Sequence, residues 1–145
     1  MSDQSRESRR QHGAGTRLGV AAALALASSA AAAHHSIAAV YDSSRQQRVE
    51  GVVAEFQFVN PHPFVIVTVA AGEAEESWRL EMDNRFELQG IGMTSETLKP
   101  GDRVVATGSA GRTEPRTLYI RQLDRPADGF RYEQVGSRPR VNSTR

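Results

Sequence analysis

The chain has 145 residues, room for one domain. It contains no cysteine, which excludes a disulfide, a thiolate metal site and a cysteine nucleophile. Its formal charge of +1 is misleading: Arg6, Arg9, Arg10 and Arg17 against Asp3 and Glu7 put +2 on residues 1–33 and leave −1 for the rest. A remainder without a concentrated basic face is not expected to take nucleic acid as a partner.

Residues 1–33 read as a signal peptide. Four arginines lead, residues 18–27 are apolar, and residues 30–33 offer small side chains to a signal peptidase. The apolar run is half the roughly 20 residues that a spanning helix needs. A cleaved leader is therefore expected, a periplasmic or secreted location, and no membrane association after cleavage. Ser8-Arg9-Arg10 hints at a twin-arginine route, although Gln11-His12-Gly13 is not the apolar continuation that route uses.

The domain is expected over residues 34–125. Residues 34–46 lack periodicity, with Ile37, Ala38, Val40 and Tyr41 available to pack as an arm or first turn. Residues 48–59 predict a first strand, with Val52, Ala54, Phe56 and Phe58 on the inner face. Val49 has the opposite parity, and a bulge at Gly51 would reconcile the two. Asn60-Pro61-His62-Pro63 interrupts the pattern, because neither proline can donate to a ladder. Residues 64–69 predict a second strand, apolar on both parities apart from Thr68 and so covered on both faces.

After a polar loop, residues 77–83 predict a third strand with Trp78, Leu80 and Met82 inward. Asn84 can cap a short helix through Leu88, ended by Gly90 and Gly92. Lys99-Pro100-Gly101-Asp102 predicts a tight turn. Residues 103–107 and 117–123 predict the fourth and fifth strands. From Pro126 the periodicity fades, and residues 126–145 are expected as a flexible tail. Within it, Asp128-Gly129-Phe130 is placed to cover one end of the fold, and residues 136–145, which lack large apolar side chains, are expected to be disordered.

Three strands, a helix and two strands predict an all-β class, specifically a small five-stranded OB-like barrel with one short helix between strands three and four. A small antiparallel sandwich is the rival architecture.

Four features together carry a resemblance. They are His34-His35-Ser36 directly after the leader, Asn60-Pro61-His62 after a Gly51-x-Val53 strand, Trp78-Arg79-Leu80-Glu81, and Leu98-Lys99-Pro100-Gly101-Asp102 before a valine-rich strand. In their order and spacing the chain resembles a family of small, uncharacterised, exported bacterial proteins. Members often carry Trp before Asn-Pro-His; the nearby aromatic here is Phe58. The resemblance implies an exported, small, all-β protein and no particular activity.

Histidine supplies the candidate chemistry. Cleavage after Ala33 would make His34 the terminal residue, with an amine and an imidazole to chelate Cu(II). Cleavage after Ala32 would put His35 third, where an amine, two amides and an imidazole form a square-planar site for Cu(II) or Ni(II). His62 could complete such a site, with Asp42 or Glu81 as acidic partners. The plainer alternatives are a mobile terminus with incidental affinity and a rigid Asn-Pro-His-Pro turn with His62 facing water. Glu81 is expected to be a solvated partner of an arginine. Trp78, Phe56 and Phe58 are expected in the core, which leaves no need for a base-stacking platform. No catalytic set is evident. The expected function is that of a non-catalytic periplasmic OB-like binding or accessory module for an unknown ligand or protein; the alternative is copper or nickel binding through His34 and His35 with His62.

Overall fold

The computed structural model describes residues 37–142. Residues 37–40 are helical. Seven strands follow: β1 (Tyr41–Gln57), β2 (Phe64–Ala71), β3 (Ala74–Glu81), β4 (Arg103–Gly111), β5 (Thr117–Arg125), β6 (Phe130–Val135) and β7 (Arg138–Asn142). One helix, α1 (Arg85–Gly90), lies between β3 and β4. The all-β expectation holds at this level.

All seven strands share one sheet, in the order β3-β2-β1-β4-β5-β6-β7. Neighbours are antiparallel, and an additional parallel pairing of β3 with β5 joins Arg79 to Thr117, Leu80 to Leu118 and Glu81 to Tyr119. Strands β1 to β5 thereby form a ring, to which β6 and β7 are added beyond β5. The ring depends on β1. Its residues 41–52 pair with β4, and its residues 52–57 pair with β2.

Two details of β1 differ from expectation. Val49 and Val53 are buried, whereas Val52 and Ala54 are exposed. The register shift lies between Val53 and Glu55, so Ala54 and not Gly51 is the extra residue. One inserted residue reverses the parity. Val49 and Val53 therefore face inward before the bulge, and Phe56 and Phe58 pack partly against the core after it. Gly51 has another role. A Cβ there would stand 2.3 Å from the Thr68 carbonyl oxygen and 2.7 Å from Val67 Cγ1. Only glycine lets β1 pass this close to β2 as it swings towards β4.

The other local signals fold as their chemistry dictates. Val65 and Val67 of β2 are fully buried, while the Arg79 guanidinium covers the ring of the outward Phe64 at 3.9 Å. Leu80 and Met82 are fully buried, and Trp78 packs half-buried against the core. Asn84 Oδ1 accepts from the Glu87 amide at 2.9 Å and caps α1, whose Leu88 enters the core. In the Lys99–Asp102 turn, the Asp102 carboxylate accepts from the Lys99 amide at 2.9 Å and Gly101 takes a φ of 94°. Two backbone bonds of 2.8 Å, Val53 N–H to Asp102 O and Gly101 N–H to Val53 O, fasten this turn to β1.

The expected flexible tail from residue 126 is a correction. Residues 130–142 form β6 and β7. Phe130, Tyr132 and Gln134 alternate inward, and Tyr132 is fully buried beside Leu123. Arg125 ties the turn before β6 to the body: it donates to Thr97 O at 2.7 Å and Asp102 Oδ2 at 2.6 Å, and pairs with Asp128 at 2.8 Å. Residue 125 is therefore not the end of the folded part, because side chains from β6 and β7 complete the core of the ring.

Candidate functional site

The turn that joins β1 to β2 carries the described histidine, His62. Pro61 and Pro63 lack amide protons, so their backbone can only accept. It does so against the chain that leaves β3. Met82 N–H donates to Pro63 O at 2.9 Å, and Arg85 N–H donates to Pro61 O at 3.0 Å. Between these bonds, His62 Nδ1 lies 3.1 Å from Met82 O. A carbonyl only accepts, so Nδ1 must hold the proton. In the neutral ring that leaves the lone pair on Nε2. The Asn60–Pro61 peptide is cis. The Arg85 guanidinium stands 5.4 Å over the Phe58 ring, which meets Phe56 edge-on at 5.6 Å. His62 is half-buried, not fully turned to water.

His34 and His35, the other members of the expected metal site, lie outside the described residues, as does Ser36. Among the described residues, no three His, Asp or Glu side chains gather as a metal site would require. Asp42 is engaged elsewhere. It accepts from the Ser44 hydroxyl at 2.7 Å and amide at 3.1 Å, which hold its carboxyl below the usual range, and it pairs with Arg112 at 3.5 Å. Glu81 is not a solvated arginine partner. It is half-buried and accepts from the Tyr41 hydroxyl at 2.7 Å.

That contact belongs to a cluster that the residue pattern alone does not reveal. Tyr41 and Tyr119 meet beside Glu81 at the end of β3, and Tyr132 of β6 is linked through Gln134 to Asp83, two residues further on. The rings of Tyr41 and Tyr119 are 5.7 Å apart, and Tyr119 is the register partner of Glu81. Tyr132 donates to Gln134 Oε1 at 2.8 Å, and Gln134 Nε2 donates to Asp83. Burial pushes all three phenols above their ordinary value, and the bond to Glu81 adds to the effect on Tyr41. Tyr41, Glu81 and Tyr119 stand far apart in the sequence, so only strand pairing could bring them together.

The arm before β1 is also held. Arg112 donates from its backbone to Val40 O at 2.8 Å and from Nε to Ala38 O at 3.0 Å. Tyr41 therefore starts β1 from a fixed point, and its hydroxyl meets Glu81, the residue next to the Met82 that holds His62.

A separate groove of about 590 Å³ opens where β1 leaves β2. Glu50, Gly51, Val52, Thr68, Glu75 and Arg103 help to line it. Among the described residues, no helix is long and apolar enough to cross a membrane.

The chain belongs to a family of unknown function, DUF6152, whose model matches residues 22–118. The match ends within β5, so β6 and β7 lie beyond it. No curated protein matches the sequence. Two solved structures are similar: TiaS in complex with its tRNA and ATP, at 15% identity, and apo TiaS, a tRNA agmatidine synthetase, at 16%. Each likeness covers 72% of this chain, with a TM-score of 0.42. This chain spans 29% and 30% of those proteins, respectively. Likenesses of that level bear on neither fold nor function.

Proposed function

We propose that this family member is an exported, non-catalytic binding or accessory module on an OB-like ring. The carrying observation is the β3–β5 pairing, which gives the ring order β1-β2-β3-β5-β4 with α1 between β3 and β4. That order supports the OB-like reading, in which the β1–β2 and β4–β5 loops border the ligand face. Residues 58–63 form the first of these loops, and three hydrogen bonds to Met82 and Arg85 hold it in one shape. A loop held rigid before binding loses little entropy when it binds. Export rests on the leader in residues 1–33. The test is titration of the labelled mature chain with fractionated periplasmic small molecules, read by amide shifts. Perturbation centred on residues 58–63 supports the reading. Turnover of any fraction that His62→Ala abolishes, or binding that leaves this loop untouched, overturns it.

A second reading has its own support. The Nδ1–H bond to a backbone carbonyl is the arrangement that typically orients a metal-ligating histidine, and it presents Nε2 as the donor. His34, His35 and His62 suit Cu(II) or Ni(II) by donor type. The chain would then capture or deliver the metal. Intact mass of the periplasmic protein, with and without Cu(II), identifies the terminal residue and any bound ion together. Stoichiometric uptake that weakens on adding one N-terminal residue supports this reading. Equal uptake by a His34→Ala, His35→Ala double variant excludes it.

A further inference from the structure

Every strand has two edges, and the pairings show which edges remain open. On its β4 side β1 is paired throughout residues 46–52, but on its β2 side pairing begins only at Val52. Residues 47–51 therefore present an open edge among the described residues. The run is regular, because the register shift in β1 against β4 falls earlier, between Asp42 and Gln46. Gln47, Arg48 and Glu50 are exposed along it. An open, regular edge is a template for another strand.

The strand it best complements is its own. We infer that residues 47–51 pair antiparallel with the same residues of a second copy, across a two-fold axis at Val49. In that register Arg48 lies opposite Glu50 of the second copy, and Glu50 opposite its Arg48. Gln47 lies opposite Gly51. Directly opposed unlike charges favour a register, and like charges disfavour one. A two-fold contact uses each complementary pair twice. Val49 faces the core of its own subunit, so the axis leaves both cores intact. The groove beside Gly51 and Thr68 gives the incoming chain room to leave the sheet where β2 blocks further pairing.

The other open edges do not offer this. At β7, Arg138, Pro139 and Arg140 would oppose cation to cation and lack a donor at Pro139. The part of β3 before Arg79 carries adjacent glutamates, and self-pairing about Glu76 would oppose carboxylates. This inference concerns assembly and is independent of the ligand.

Sedimentation of the purified exported chain from about 1 μM to about 1 mM tests it. A monomer–dimer equilibrium is expected. Arg48→Glu and Glu50→Arg should each weaken the dimer at least about tenfold, since each opposes like charges twice, and the double exchange should restore it. Within one chain Arg48 and Glu50 already pair with each other at 3.0 Å, but both are about half exposed or more, so losing that surface pair in a single exchange should cost the monomer fold little. Hydrogen exchange of the unsubstituted chain supplies a second readout: alternate amides within residues 47–51 should become protected only at dimer-forming concentrations. A monomer throughout, a dimer indifferent to the single exchanges, no restoration by the double exchange, or unprotected edge amides in the dimer would each overturn the inference.

Discussion

The Tyr41 hydroxyl donates to Glu81 Oε2 at 2.7 Å and so ties the first residue of β1 to the last residue of β3. These strands are not neighbours in the sheet. The bond crosses the ring beside the β3–β5 contact and rests on Tyr119, whose ring lies 5.7 Å from that of Tyr41. It also fixes where the chain enters the fold, next to the strand end that holds His62. The ring, the arm and the histidine turn thus share one anchoring region around residues 81 and 82.

The three buried tyrosines make alkaline pH a selective stress. Burial raises the phenols of Tyr41, Tyr119 and Tyr132 above the ordinary value of 10.0. The folded chain therefore keeps protons that the unfolded chain loses above pH 10. This contribution to stability is complete below that pH and falls as pH rises through the folded values. Phenolate absorbance should appear together with loss of the folded circular dichroism signal. Smooth titration of all three tyrosines in a chain that stays folded would contradict the burial argument.

Replacing Tyr41 by Phe removes the donor and leaves the half-buried Glu81 carboxylate short of a partner. A loss of about 1–2 kcal/mol is expected in urea denaturation. The alkaline loss of stability should shrink as well, because one of the shifted groups is gone.

Gly51→Ala places a methyl group against the Thr68 carbonyl and Val67. Since β1 and β2 are both held in the ring, relief requires backbone movement, and a loss of about 1–3 kcal/mol is expected. Gly90→Ala is the control. A Cβ there meets nothing within 4 Å, so its denaturation midpoint should hold or rise slightly.

Ending the chain at Arg125 removes β6 and β7. Phe130 and Tyr132 leave the core, each worth about 1.5–3 kcal/mol of burial, and Leu123 loses its cover. Against a typical total of about 5–15 kcal/mol, the truncated chain should lose its cooperative thermal transition or melt far lower. An unchanged melting curve would show that β6 and β7 add nothing to the ring.

His62→Ala deletes the bond to Met82 O but leaves the backbone bonds of Pro61 and Pro63 in place. A modest loss of about 0.5–1.5 kcal/mol is expected by chemical denaturation. A much larger loss would make the histidine a structural clasp first and a candidate ligand second.

Parts of this fold were legible because their causes are local. The alternation of Trp78, Leu80 and Met82, the Asn84 cap and the Lys99–Asp102 turn depend on neighbours a few residues away. β1 was harder. Its apolar residues occupy both parities, and the one-residue bulge that reconciles them could stand at Gly51 or Ala54 until the partner strand chose. β6 was harder still, since Phe130, Tyr132 and Gln134 alternate over too short a span, and with too polar a third member, to separate from a tail. Asp42 and Glu81 drew attention by type, but type does not say which donors a carboxylate will meet.

By itself the sequence determined a mostly β domain without disulfides, a rigid proline-flanked histidine turn and membership of its family. These follow from composition, period-two burial and backbone restriction, all of which act over short stretches. Only the tertiary structure decided that Tyr41 and Tyr119 meet, that Glu81 serves Tyr41, that the last strands complete the core and that, among the described residues, one edge of β1 has no partner strand. Each of these depends on which strands pair and in what register, a property of residues far apart in the chain and therefore of no single segment.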